Sequence, residues 1–259
     1  MLVYFFIAIA ATTLGSLTGM GGGVIIKPVL DMIGAFDVST INLLSALTVF
    51  SMSLVSISQH IIKRTKIDFA VAIPLAIGGI IGGTLGKTVF GLVVQHISQK
   101  NLITGIQNII LALLILIVFV YMINKEKIKG FALRGKLCLL AVGIFLGMIS
   151  SFLGIGGGPI NVALLVFLLG YPTKSATVCS LIIILFSQSS NLLSTCFSGG
   201  FVGKDLSVLP GMIPGAILGG LLGAKLNRKL SEKYTVIMFN ATQLLVLCLT
   251  IYNIVKNLS

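Results

Sequence analysis

The 259-residue chain is 56% hydrophobic and only 9% charged, too little charge to cover a soluble domain of this length, so most of its surface must face lipid. Lys and Arg number 18 against six Asp and Glu. The excess sits mainly in short loops between apolar stretches, which points to membrane topology and excludes nucleic acid as the partner that so basic a chain would otherwise suggest.

Eight apolar segments, approximately 2–34, 39–59, 68–94, 102–124, 137–171, 175–198, 206–224 and 234–255, are each near or above the roughly 20 residues that carry a helix across a bilayer. Barrel strands would be shorter and would alternate. The expected fold class is an all-α membrane protein, a polytopic helical bundle.

The first segment has the apolar core of a signal peptide but no basic n-region, and is read as a retained membrane segment. It is too long for one ordinary crossing and is interrupted by Gly21, Gly22 and Gly23. Each Gly costs a helix about 1 kcal/mol relative to Ala, so a break is expected there. Broken backbone at membrane depth persists only where protein buries it or where it lines a cavity. Lys27 follows four residues after the triplet and could offset the charge of an anion.

Segment two carries Asn42, Ser45, Thr48, Ser51 and Ser53. Buried hydroxyls are usually satisfied by their own helix, and Ser51 is kept as a candidate pathway residue. Segment three holds Pro74, Gly78, Gly79, Gly82 and Gly83, read as packing and kinks, and Lys87, close enough to the segment end to snorkel. Segment four brings Gln107 and Asn108. Amides cost more to bury than hydroxyls and are the better candidates for a lined pathway.

The fifth segment is again overlong and is broken by Gly156, Gly157 and Gly158. Segment six adds Gln188 and Asn191, segment seven repeats a Gly and Pro cluster, and segment eight adds Asn240 and Gln243. Cys138, Cys179, Cys196 and Cys248 form no CxxC and are read as small packing residues.

The chain is also self-similar. GSLTGMGGGVI at 15–25 matches SSFLGIGGGPI at 150–160, placing Gly19 on Gly154 and the first triplet on the second; IPLAIGGIIGG from Ile73 resembles IPGAILGGLLG from Ile213. Two related halves are expected, 1–130 and 131–259, each a Gly-broken segment plus three membrane helices.

Loop charge bears on their orientation. Lys63, Arg64 and Lys66; Lys125, Lys127, Lys129, Arg134 and Lys136; and Lys225, Arg228, Lys229 and Lys233 make three basic loops, while the other connections are poor in charge. If all three are cytoplasmic, the broken segments must turn back or cross twice, and the halves form inverted repeats. Parallel halves with eight plain crossings are the alternative.

Asp31, Asp37, Asp68, Glu126, Asp205 and Glu232 all fall near segment ends or in loops, which argues against a carboxylate-lined cation pathway. His60 and His96 flank loops without a partner pattern. No hydrolase elbow, zinc motif or P-loop is present, so neither an enzyme, a cofactor nor a metal site is expected. The functional reading is a carrier that holds a small anion between the two Gly breaks. Freed N–H groups at helix N-termini would be its donors. Alternatives are a channel-like protein, a cation or metabolite carrier, or a non-transporting membrane scaffold. A coupling ion, H+ or Na+, and the oligomeric state are not legible.

The stretches GSLTGMGGGVIIKPVL and SSFLGIGGGPINVALL, with the duplicated architecture and the chain length, resemble the sulfite exporter TauE/SafE-like membrane transporter family. The resemblance covers essentially the whole chain. It implies a multi-pass carrier of the cytoplasmic (inner) membrane, working on sulfite, sulfoacetate, thiosulfate or another small anion. Lys27 stands where members typically carry an apolar residue.

Overall fold

The computed structural model describes the chain except residues 66, 97–99, 129, 132, 134 and 259, and leaves the side chains of 100, 101, 257 and 258 undescribed. Lys66, Lys129 and Arg134 of the basic loops thus lie outside the described residues. Among the described residues there are ten helices and no strand: α1 Leu2–Thr18, α2 Gly23–Ile33, α3 Val38–Ile62, α4 Phe69–His96, α5 Lys100–Asn124, α6 Lys136–Leu153, α7 Pro159–Leu169, α8 Thr173–Phe197, α9 Leu209–Lys229 and α10 Glu232–Leu258. Seven of them, α3 to α6 and α8 to α10, are long and apolar enough to cross a membrane, which makes this a polytopic helical membrane protein.

Both overlong segments split, and both breaks begin before the triplet. α1 ends at Gly19 in the left-handed conformation (φ 75°), and α6 ends at Gly154 in the same way (φ 66°), a helix stop that glycine adopts without a Cβ clash. Pro159 then starts α7, its fixed φ suited to a first helical turn. Asp37 caps α3, accepting from the Thr40 N–H at 3.3 Å.

Each broken segment is a hairpin that returns to the level at which it entered. Phe36, beyond α2, stacks edge-on against Tyr4 near the start of α1, with ring centroids 6.0 Å apart. Ahead of α6, the Phe131 and Leu133 N–H groups donate to Phe167 O and Leu168 O at the end of α7, at 2.8 and 2.9 Å. The hairpins open at opposite ends of the molecule. The open end of α1–α2 is also where Lys204 pairs with Asp37 at 3.0 Å and Lys256 donates to Met32 O at 2.9 Å. The open end of α6–α7 gathers the described parts of the basic loops: Lys125 Nζ reaches Thr173 at 3.1 Å, Tyr171 donates to Asp68 at 2.8 Å, and Lys174 Nζ donates to Leu230 O at 2.8 Å.

The most extensive helix pairs are α4 with α6 and α1 with α9. Both rest on glycine stripes. A Cβ at Gly82 would overlap the Ile144 carbonyl, and one at Gly219 would lie 2.7 Å from Ile9 O, so the backbones approach as closely as small residues permit. The glycine clusters of segments three and seven therefore pack helices, as their sequence suggests. α4 also runs alongside α8 in the same direction, Gly79 by Ile183, Gly83 by Ser187 and Lys87 by Ser194. α3 runs with α9, from Asp37 by Lys204 to Ser56, whose hydroxyl donates to Gly220 O at 3.4 Å. α3 and α8 form the buried centre, while α5 and α10 are the more exposed spans. Cys179 is buried, and Cys138, Cys196 and Cys248 are exposed.

Candidate functional site

The hairpin tips meet at the centre. A Cβ at Gly21 would lie 3.1 Å from Gly156 O, and one at Gly23 would lie 2.6 Å from the Ile155 carbonyl carbon. Residues 15–28 and 153–159 are buried throughout. The sequence-predicted glycines are thus brought together, with unequal backbones. Gly21 is left-handed (φ 76°), Gly22 is close to helical (φ −64°) and Gly23 opens α2, whereas Gly156, Gly157 and Gly158 all have positive φ, at 68°, 127° and 133°. Only glycine tolerates that run.

A helix that stops inside a protein leaves carbonyls without partners. At the end of α1 neutral side chains supply the missing donors: Asn227 Nδ2 donates to Leu17 O at 2.7 Å, Thr177 Oγ1 to Thr18 O at 3.1 Å and Ser180 Oγ to Gly19 O at 2.6 Å. At the end of α6 the donors come from a charged cluster. Lys27 Nζ donates to Leu153 O and to Gln107 Oε1, each at 2.5 Å, and Gln107 Nε2 donates to Phe152 O at 2.7 Å. A cation at the negative end of a helix dipole is favourable. Asn108 Nδ2 approaches Asp31 Oδ2 at 3.4 Å, so a carboxylate joins the same cluster.

Asp31, placed near a segment end by the sequence, is in fact 93% buried, since α2 folds back between α3 and α10. Lys27 and Gln107 bond each other and complete the end of α6, whereas Asn108 bonds Asp31 and the Thr104 carbonyl of its own helix.

Around the second turn the bonding is incomplete. Among the described residues, Gly154 and Ile155 N–H bond back to Ser151 O and Ser150 O, and Asn161 N–H bonds to Gly158 O; none of these bonds takes up the N–H groups of Gly156, Gly157 or Gly158. The side-chain polar atoms of Asn42, Ser150, Ser151 and Asn161 are buried without partners, as is the Ser45 hydroxyl, which lies against Gly23 of the first turn. Asn42 Nδ2 would be 3.0 Å from a Cβ at Gly154, and Asn161 Nδ2 3.4 Å from one at Gly157. Buried polar groups nearly always find partners, so this concentration marks a place built for something polar.

The other predicted residues are dispersed. Ser51 bonds Leu47 O of its own helix at 2.9 Å. Asn191 Nδ2 donates to Gln188 Oε1 at 3.4 Å, leaving Gln188 Nε2 without a partner, and Asn191 itself lines a cavity shared with Asn42 and Ser151. Asn240 Oδ1 and both amide atoms of Gln243 are unpartnered on α10, and no hydrogen bond among the described residues ties them to the turns. Ser150 and Ser151 lie inside the second repeat motif and Asn161 directly after it, yet none of the three stands out in the sequence. Asn42 and Ser45 fall there in a general set of polar membrane residues.

Neither the curated proteins nor the solved structures yield a match. The family model described as Sulfite exporter TauE/SafE matches residues 4–251. That span is nearly the whole chain and includes both glycine turns and every membrane helix up to the last residues of α10, so the chain belongs to the TauE/SafE sulfite exporter family of membrane transporters.

Proposed function

We propose that the protein carries a small sulfur-containing anion, such as sulfite, sulfoacetate or thiosulfate, across the cytoplasmic membrane by alternating access, with the solute held at the second glycine turn. The observation that carries this reading is the group of unpartnered buried polar side chains beside the free N–H groups of Gly156 to Gly158. Donors fixed in place and shielded from water hold an anion at little reorganisation cost.

The two halves, 1–130 and 131–259, act as inverted repeats. Support comes from hairpins that open at opposite ends and from the basic loops gathered at one of those ends. The positive-inside rule makes that end cytoplasmic. Rocking of one half against the other would then expose the turns alternately.

Flux of labelled sulfite and sulfoacetate into proteoliposomes, with wild type, Gly22→Ala and Gly157→Ala, tests the reading. Saturable flux in wild type that falls most in Gly157→Ala is expected. A wild type that moves no anion of the panel overturns it.

A further inference from the structure

A cavity of about 230 Å3 lies between α3, α4, α6 and α8 on the charge-poor side of the molecule, with Gly200 and Lys204 of the α8–α9 loop in its wall. It reaches Ser151 and Asn42, and Asn42 is the residue against Gly154. The cavity therefore leads from the end of the bundle to the second glycine turn.

Its charge is unbalanced. Lys204 and Asp37 form the only ion pair among the described residues, so Lys204 is offset. Lys87 also lines the cavity, and its ammonium is held by neutral hydroxyls, Ser194 Oγ at 3.2 Å and Ser198 Oγ at 2.9 Å. Lys87 thus contributes to the wall a positive charge that no carboxylate among the described residues pairs. At the inner end the Ser151 hydroxyl, on a side chain 5% exposed, and the Asn42 amide have no partners. Leu43, Ala46 and Phe90 supply an apolar wall between these polar ends.

We infer that this cavity is a binding vestibule for a short organic anion with a single negative charge, its head on Lys87 and its tail along Leu43, Ala46 and Phe90. Charge count sets the preference: a second negative charge would meet only the already paired Lys204, so a dianion such as sulfoacetate enters less readily than a monoanion. Size sets the tail: at about 30 Å3 per liquid water the cavity has room on the order of seven waters, more than a bare oxyanion fills. The unpartnered Ser151 and Asn42 then receive a polar tail group or pass the anion to the turn. As a vestibule the cavity presupposes an anion carrier; as a binding site it does not.

Equilibrium binding of labelled isethionate, a sulfonate with one charge and a hydroxyl tail, to the detergent-solubilised full chain tests the site, with sulfoacetate and propionate as competitors. Saturable binding is expected, weakened about tenfold by Lys87→Gln, which corresponds to about 1.4 kcal/mol. Lys87→Arg, which keeps the charge, should stay within about threefold of wild type and shows that the site is intact. Displacement by propionate identifies a general monoanion site and its absence a sulfonate-selective one; both accord with the inference.

No saturable binding, unchanged binding in Lys87→Gln, or tighter binding of the doubly charged sulfoacetate overturns it. Isethionate binding in a protein that moves no anion in proteoliposomes would uphold the vestibule and contradict the carrier reading, so the two fail separately.

Discussion

The two glycine turns meet tip to tip, yet their surroundings differ in kind. The end of α1 is completed by three neutral side chains, Asn227, Thr177 and Ser180. The end of α6 is completed by Lys27 and Gln107, and the turn that follows is ringed by polar groups without partners. The repeat makes the contrast sharper, because Val162 and Val166 occupy the positions in the second half that match Lys27 and Asp31. One helix end is completed by neutral side chains, and the other is fixed by a charge with most of the unpartnered polar side chains gathered at the turn that follows it. On the proposed function, support would fall to one turn and binding to the other.

The largest effect should come from removing the charge that fixes the second turn. Lys27→Met leaves the Leu153 carbonyl and the Gln107 amide oxygen without their donor and takes a positive charge from beside the buried Asp31, and each buried group left unsatisfied typically costs about 1–3 kcal/mol. Thermal unfolding in detergent should fall steeply, and pairing it with Asp31→Leu should restore part of the loss. A Lys27→Met protein as stable as wild type would remove the contrast.

Next is Gly157→Ala. Its φ of 127° and a Cβ 2.5 Å from Ile184 Cδ1 impose strain of about 1–3 kcal/mol, directly on the N–H groups assigned to the solute. Ala at Gly22 adds no φ strain, although its Cβ would lie 2.8 Å from Thr12 Cγ2, and its N–H is not assigned to the solute, so flux should fall further in Gly157→Ala than in Gly22→Ala. Ser180→Ala should cost about 1 kcal/mol of stability and leave flux at matched protein amount near wild type.

The smallest effect lies at the charge-poor end. Partial burial would raise the Asp37 carboxyl, but hydrogen bonds from Thr40 and Lys204 outweigh it and hold the group below the usual carboxylate range. Its contribution to stability is therefore present above the ordinary Asp value of about 3.9 and is lost as pH falls through the lower folded-state value. Lys204→Gln should reduce the acid sensitivity of thermal unfolding slightly in that window.

Helices, segment number and the two breaks were legible because apolar length and consecutive glycines act locally. The start of each break was displaced: helices stop at Gly19 and Gly154, where a single left-handed glycine suffices, rather than at the triplets. Burial of Asp31 could not be read, because it depends on α2 folding back. Nor could the division between Thr177, which completes a helix end in α1, and Asn42, its counterpart, which is left without a partner beside Gly154. Both are polar residues in apolar sequence, and only their neighbours across the repeat separate them.

The central claim is that the unsatisfied polar groups at the second turn bind the solute. Asn161 is fully buried, its amide bonds nothing among the described residues, and it sits one turn into α7. Leucine there keeps the number of side-chain heavy atoms and the branch at Cγ and removes a group whose burial is unfavourable, so the fold should be about as stable as wild type or more so. Labelled sulfite flux through Asn161→Leu in proteoliposomes should fall at least about tenfold, or about 1.4 kcal/mol, with the unfolding temperature unchanged or raised. Wild-type flux in that variant would contradict the account.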